Sequence, residues 1–145
     1  MVKIKLLNEK AHLPSRASSG AAGYDLRACI DEPTTLPKGK IFAVPTGVAI
    51  ELPNENLVAV ICARSGLAIK HGITLANSVG IIDSDYRGEI KVGLINLGQE
   101  DFVINPDERI AQMLIVPVET PELTVADELS DTTRGSGGFG STGRK

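Results

Sequence analysis

The chain has 145 residues, of which 42% are hydrophobic and 23% are charged, and its formal net charge is −3. It contains no run of about eighteen apolar residues, which predicts one globular domain and no membrane partner. The negative balance disfavours broad contact with nucleic acid, which would need a basic surface. Cys29 and Cys62 lie far apart in apolar stretches, so we expect reduced, buried thiols in a cytoplasmic protein.

Short apolar runs separated by turn residues indicate an all-β protein. The 15 Gly and 8 Pro are spread along the chain, which disfavours long helices. Alternation of apolar and lysine residues predicts a first strand over 2–6. Further strands are predicted over 41–44, 48–52, 57–63, 90–97 and 110–118. This many short strands favours a sandwich, a jelly roll or a barrel, with a core of Val, Ile, Leu and Ala.

One short helix is predicted over 66–70, with Ser65 as its N-cap and Gly72 in the left-handed conformation at its end. Arg64 directly precedes this helix. Helix N-termini attract anions, and an arginine side chain can contact a phosphate with two parallel hydrogen bonds. The segment therefore fits an anion site, and it fits a capped helix with one exposed arginine equally well.

The segment 77–90 runs from apolar residues into a polar turn and back, which predicts a β-hairpin. Asp83 directly follows an apolar pair in this segment. A partly desolvated carboxylate at a strand end can act as a general base, although an ordinary turn residue is the alternative. A calcium loop is excluded because Arg87 and Leu94 occupy two of the ligand positions.

The last residues, 131–145, contain almost no aliphatic side chain and predict an arm that follows a folded domain of residues 1–130. The arm matches the pattern GxGxxG from Gly135 and again from Gly138, but no strand precedes it and no helix follows, which excludes a dinucleotide fingerprint. By composition alone, a flexible tail and a phosphate-binding loop both fit. Phe139 favours a ligand or partner, since an aromatic side chain there has no core to join.

Five segments of the chain, in this order, resemble the five motifs of the trimeric dUTP diphosphatase family. These segments are residues 22–28, 64–68, 80–88, 109–113 and the Gly-rich arm. Ala63 departs from the family pattern, because many relatives carry Pro there, but it affects no catalytic residue. The resemblance implies a jelly-roll-like distorted β-barrel, and a homotrimer whose active sites are shared between subunits. It also implies hydrolysis of dUTP to dUMP and pyrophosphate.

The resemblance assigns roles to individual residues. Asp83 would activate the water that attacks the α-phosphorus, and Asp25 would reach Mg²⁺ through a water while the substrate phosphates hold the ion. Tyr86 would lie against the deoxyribose and exclude a ribose 2′-hydroxyl. The other residues expected to bind the substrate are Arg64, Ser65, Gly66, Asn77, Gly80, Ile81, Ile82, Lys91, Gln112, Arg134, Phe139, Gly140, Ser141 and Thr142.

Two other functions use the same scaffold. A dCTP deaminase, or a bifunctional relative, would release ammonia from cytosine but would lack the Gly-rich arm that closes over phosphates. A binding protein without catalysis would have no need of Asp83, Tyr86 and a complete arm. The Gly-rich arm, together with Asp83 and Tyr86, therefore favours the hydrolase.

Overall fold

The computed structural model describes residues 1–138. These residues form eleven strands and one helix, which confirms the all-β prediction. In chain order the elements are β1 (Lys3–Leu6), β2 (Tyr24–Arg27), β3 (Thr34–Leu36), β4 (Ile41–Pro45), β5 (Val48–Glu51), β6 (Leu57–Ala63), α1 (Ser65–His71), β7 (Ile73–Leu75), β8 (Gly80–Ile82), β9 (Lys91–Asn96), β10 (Phe102–Ile104) and β11 (Arg109–Pro117).

Within the described part of the chain the strands form four antiparallel sheets. The largest has the order β2-β11-β6-β8, and a second has the order β4-β9-β7. Two pairs, β1 with β5 and β10 with β3, complete the set. Strands that are neighbours in a sheet are mostly distant in sequence, so long-range pairing positions the site.

The core consists of aliphatic side chains, as the composition predicts. Each Leu or Ile that is fully buried stabilises the fold by roughly 1.5–3 kcal/mol. The largest of the fully buried apolar side chains are Leu26, Leu36, Ile73, Ile90, Leu94, Ile104 and Ile110. Two polar residues, Thr46 and Asn96, share this core, and both are hydrogen-bonded to backbone carbonyls.

Strands longer than about four residues lie where the periodicity predicts them, within two residues at each end. Four short strands, β2, β3, β7 and β10, were not predicted as strands. Each has only three or four residues. Such a stretch holds too few residues for an alternation of apolar and polar side chains to show.

The prediction of a β-hairpin over 77–90 is wrong. β8 pairs with β6, whereas β9 pairs with β4 and β7, so the two strands that flank the turn lie in different sheets. The prediction assumed that consecutive strands pair, which is common but not general. Residues 83–90, which we call the 83–90 loop, cross from one sheet to the other.

The helix α1 has seven residues and begins one residue earlier than predicted. Arg64, not Ser65, is its N-cap: the Arg64 backbone is extended, and its carbonyl accepts the Ala68 N–H at 3.0 Å. Gly72 ends the helix at a φ of 69°, which confirms the predicted left-handed conformation. Within residues 1–138 there is no helix that is long and apolar enough to span a membrane.

The chain leaves the sheets after β11. Residues 118–138 form no helix or strand, and beyond the partly buried Val118 the aliphatic side chains are almost fully exposed, for example Val125 at 97%. The predicted division between a domain of residues 1–130 and an arm of residues 131–145 stays a prediction.

The cysteine prediction is only partly met. Both Cys29 and Cys62 are free thiols, as predicted. Both, however, are only partly buried. The Cys29 thiol contacts the Asn8 side-chain oxygen at 3.4 Å, near the surface of the domain, so it is not a core residue.

Candidate active site

An open cavity of about 410 Å³ lies beside the end of β8. We call it the Tyr86 cavity, and its lining residues are Ile81, Ile82, Asp83, Tyr86, Glu89 and Lys91. Its size is within the range of small-molecule sites. The structure thus brings together five residues that were predicted to act on the substrate. Glu89 was not predicted, because it stands in the sequence as an ordinary polar residue before a buried strand.

Asp83 lies where the sequence places it, directly after β8. Its backbone carbonyl accepts the Tyr86 N–H at 3.1 Å, which closes the first turn of the 83–90 loop. The Asp83 residue is exposed. Residues 1–138 therefore do not provide the predicted partial desolvation of Asp83, and we expect a ligand or a second copy of the chain to supply it.

Tyr86 is folded back onto its own loop. Its hydroxyl donates a hydrogen bond to the Glu89 carbonyl at 3.0 Å. The ring lies against Gly88, where a Cβ atom would come within 2.6 Å of the ring carbon Cζ. Glycine at this position lets the ring approach the backbone, while 44% of the tyrosine remains exposed.

β8 is an edge strand, because β6 is its single neighbour in the described sheet. Part of its backbone N–H and C=O groups therefore faces away from β6 and is free to pair with another molecule. Gly80 begins the strand opposite Ile61. Asn77 lies in the exposed turn before it, and its side-chain nitrogen is 3.9 Å from the position of a Gly80 Cβ.

A second group of residues, which includes the predicted Arg64 and Gln112, surrounds Asp25. Its carboxylate is 3.1 Å from Arg109 Nη1 and 3.4 Å from Arg64 Nε, and the side chain is only 16% exposed. Arg64 Nη1 also donates to the Arg109 carbonyl at 3.1 Å. Gln112 lies opposite Asp25 in the sheet and donates to the Ala63 carbonyl at 3.0 Å. We call these four residues, Asp25, Arg64, Arg109 and Gln112, the Asp25 cluster.

A bulge in β11 makes this cluster possible. The register with β2 shifts between Arg109 and Ala111. Arg109 and Gln112 are three residues apart, so in a regular strand their side chains would point to opposite faces. The extra residue restores both to the face that carries Asp25. Arg109 was not predicted as a site residue, because the bulge leaves no signal in the sequence.

Ser65 and Gly66 form the first turn of α1, directly beside Arg64 of the Asp25 cluster. Both residues are exposed, and a Cβ on Gly66 would meet no atom within 4 Å. The backbone N–H groups of a first helical turn have no partner within the helix. This turn therefore offers donors to an anion next to the two arginines.

The Tyr86 cavity and the Asp25 cluster lie at opposite ends of β6. Ile82 is opposite Ala59, near the beginning of β6, while Arg64 directly follows the last residue of the strand. At about 3.3 Å per residue, Ala59 and Arg64 are roughly 17 Å apart along the strand. The predicted base and the predicted phosphate-binding residues of one chain therefore do not meet.

Of the predicted arm residues, the structure describes Arg134. Its Nε donates to the Gly137 carbonyl at 2.8 Å, and the Gly135 N–H donates to Thr132 Oγ1 at 3.0 Å, so these contacts are local. The remaining predicted arm residues lie outside the described residues; they are Phe139, Gly140, Ser141 and Thr142.

Among residues 1–138, no group of three or more His, Cys, Asp and Glu side chains could hold a metal ion. The Asp25 cluster contains one carboxylate, that of Asp25, and it is paired with Arg64 and Arg109. A carboxylate has several acceptor positions, so it can bind a water as well as its arginine partners. A single carboxylate of this kind fits a hard cation that takes most of its ligands from water and phosphate.

Comparison with known proteins gives one consistent result. A model of the dUTPase family matches residues 9–143. Deoxyuridine 5′-triphosphate nucleotidohydrolase from Burkholderia cenocepacia is 51% identical over 143 residues, which cover 97% of each chain.

Two solved structures are also similar. A mutant dUTPase of Staphylococcus bacteriophage 80alpha with dUpNHpp has a TM-score of 0.86 and 29% identity, and the match covers 99% of this chain and 98% of that one. A mutant dUTPase from phage phi11 of S. aureus, which coordinates a structural Mg(II) ion, has a TM-score of 0.79 and 26% identity over 88% and 97% of the chains. These matches confirm the jelly-roll fold, and the chain belongs to the dUTPase family.

Proposed function

We propose that this protein is a dUTP diphosphatase that hydrolyses dUTP to dUMP and pyrophosphate. The observation that carries the proposal is the Tyr86 cavity, where Asp83 and Tyr86 adjoin the open edge of β8. Membership of the dUTPase family supports the same reaction. In a cell this activity would keep uracil out of DNA and supply dUMP for thymidylate synthesis. We place it in the cytoplasm, where free cysteines such as those found here stay reduced.

Selection of the nucleoside would begin at β8. The backbone around Ile81 and Ile82, with the Asn77 amide, would pair with the polar edge of uracil. A cytosine or a purine would leave some of these groups unpaired. A buried group without its hydrogen-bond partner discriminates between bases more strongly than a misplaced methyl group, such as that of thymine. The Tyr86 ring would lie against the deoxyribose and leave no room for a 2′-hydroxyl.

The chemical step would be attack of water on the α-phosphorus. Asp83 would hydrogen-bond this water, orient it, and accept its proton as the new P–O bond forms. The bond between the α-phosphorus and its bridging oxygen would break, and pyrophosphate would leave with the electron pair. Positioning and stabilisation of charge would supply most of the acceleration.

The triphosphate would be held by a separate group of residues. Arg64, with Ser65 and Gly66 in the first turn of α1, offers a guanidinium and backbone N–H groups, and Gln112 adds an amide. Asp25 would hold Arg64 in place through their ion pair. Arg134, Ser141 and Thr142 would close over the phosphates, and Phe139 would stack on the uracil. Gly140 and Lys91 would also bind the substrate.

We further propose that the active protein is a homotrimer with shared active sites. The separation of roughly 17 Å along β6 supports sharing, because reacting groups must lie within a few ångströms of one substrate. If one copy supplies the Tyr86 cavity and another supplies the Asp25 cluster, the two can face the same dUTP. The arm of residues 131–145 could then come from a third copy.

We propose Mg²⁺ as the cofactor. Asp25 is the residue that would hold it, through a water, while the phosphates of dUTP supply other ligands. When bound, the ion would neutralise charge on the triphosphate. The Mg(II) ion in the phage phi11 relative supports a role for this metal in the family.

Release of pyrophosphate from dUTP, dTTP, dCTP and UTP tests the proposal. With Mg²⁺ present, we expect release from dUTP and little from the other three, with dUMP as the second product. Chelation by EDTA should stop the reaction, and added Mg²⁺ should restore it. Ammonia released from dCTP would indicate a deaminase instead, and dUTP left unchanged would refute the proposed function.

A further inference from the structure

Glu89 lines the Tyr86 cavity but has no part in the hydrolysis described above. Its side chain is only 25% exposed, although the cavity is open. A carboxylate that is largely withdrawn from water is normally paired or hydrogen-bonded. The partners of Glu89 therefore indicate what it does.

The Glu89 carboxylate connects the 83–90 loop to the turn between β4 and β5. Its Oε1 accepts a hydrogen bond from the Gly47 N–H at 2.9 Å, across 42 residues of sequence. Gly47 is buried and has a φ of +67°. A Cβ at this position would lie 2.6 Å from the Ala11 Cβ, so the Gly47 backbone is packed closely against Ala11. The Gly47 N–H therefore gives the Glu89 carboxylate a donor with a fixed position.

The backbone next to Glu89 is held by the same turn. Thr46 Oγ1 donates to the Ile90 carbonyl at 2.6 Å, and the Ile90 N–H donates to the Val48 carbonyl at 2.8 Å. Thr46 and Ile90 are 2% and 0% exposed. The end of the 83–90 loop at Ile90 is therefore fixed by buried hydrogen bonds, and Glu89 is the residue directly before this fixed end.

Glu89 also contacts two residues that face the cavity. The Tyr86 hydroxyl donates to the Glu89 carbonyl at 3.0 Å. Lys91 Nζ lies 3.9 Å from the other carboxylate oxygen, Oε2. A shift of Glu89 would therefore move the acceptor that holds the Tyr86 ring, and it would release the lysine.

We propose that Glu89 is a positioning residue for selection of the sugar. By tying the 83–90 loop to Gly47, it holds Tyr86 where a ribose 2′-hydroxyl would clash, and it thereby sets the preference for dUTP over UTP. Glu89 acts through Tyr86 and contacts no reacting atom. The inference rests on the proposed function, since it concerns how the same cavity chooses its nucleotide.

Three substitutions test this role. Glu89→Ala removes the acceptor for the Gly47 N–H, Glu89→Asp keeps the charge but withdraws the carboxylate by one methylene, and Glu89→Gln keeps an oxygen acceptor without the charge. We expect Ala and Asp to lower the ratio of kcat/KM for dUTP to that for UTP by about tenfold, mainly through a higher kcat/KM for UTP as the clash with the 2′-hydroxyl is relieved. We expect Gln to keep the ratio within about threefold of wild type.

Asp101→Ala is a matched control. The Asp101 carboxylate accepts the Lys38 N–H at 2.9 Å, which is the same kind of contact, and it does not line the Tyr86 cavity. We expect this variant to keep the ratio of wild type. A fall as large as that of Glu89→Ala would mean that the ratio merely reports lost stability, and this would overturn the specific role of Glu89.

Hydrogen exchange of the intact protein, followed by mass spectrometry, gives a readout without catalysis. Amides of residues 46–48 and of the 83–90 loop should exchange faster in the Ala and Asp variants than in Gln. If Glu89→Ala does not fold, the comparison of Asp with Gln decides. An unchanged dUTP to UTP ratio in Asp or Ala, with an active wild type, would overturn the role of Glu89 alone. A wild type that is inactive on dUTP would instead refute the proposed function.

Discussion

A Cβ atom on Gly88 would lie 2.4 Å from the Tyr86 hydroxyl oxygen, closer than any real contact allows. Gly88→Ala should therefore push the tyrosine ring away from its place and lower kcat/KM for dUTP by about tenfold or more, equal to about 1.4 kcal/mol. Gly93→Ala is the control, since a Cβ there would meet no atom within 4 Å. Unchanged kinetics of the Gly88 variant would contradict the importance of the ring position.

Asp83→Asn tests the proposed base. The amide keeps the shape of the side chain but cannot accept the proton, so we expect kcat to fall by about 10²–10⁴-fold. Binding of dUMP, measured by calorimetry, should change little. Asp85→Asn, in the same exposed loop but outside the lining of the Tyr86 cavity, should stay within about threefold of wild type. Near-normal turnover in Asp83→Asn would remove this residue from the role of base.

Truncation after Thr133 separates folding from catalysis. The described hydrogen bonds of Arg134 and Gly135 stay within the arm, so their removal should leave the sheets intact. Loss of the groups proposed to close over the phosphates should lower kcat/KM by about 10²-fold or more. Circular dichroism and size-exclusion chromatography would check the fold and the assembly. Full activity of the truncated protein would show that the arm does not close over the substrate.

Mixing two inactive variants tests whether sites are shared. Asp83→Asn damages the cavity at one end of β6, and Arg64→Ala damages the Asp25 cluster at the other. If each site combines these parts from different copies, trimers formed from an equal mixture should contain about a quarter of intact sites. The mixture should be unfolded and refolded together, and its pyrophosphate release compared with each variant alone. No gain on mixing would place both parts of a site in one chain.

The sequence predicts the elements better than their pairing. Strands such as β6 and β11 are long enough for their apolar pattern to show, and Gly72 at φ 69° follows from the need for a left-handed residue after a helix. The error at 77–90 has a different origin. Whether β8 and β9 pair with each other depends on partners far away in the chain, and local patterns carry no information about them.

The same distinction between local patterns and long-range contacts applies to the residues of the candidate site. Asp83 and Arg64 could be predicted because each stands at a chemically distinctive position next to a strand or helix end. Glu89 could not, because its role comes from a contact with Gly47 across 42 residues. Arg109 could not, because regular alternation would turn its side chain away from Asp25.

The bulge before Ala111 has a consequence for changes of length in β11. Removing the extra residue, Ile110, would leave Arg109 and Gln112 two residues apart, so strict alternation would keep both side chains on the Asp25 face, at the cost of one buried side chain. Removing a residue between Gln112 and Pro117, where the pairing with β6 is regular, would instead turn the side chains on one side of the deletion to the opposite face of the sheet. The bulge is therefore a place where β11 can lose a residue without turning its remaining side chains over.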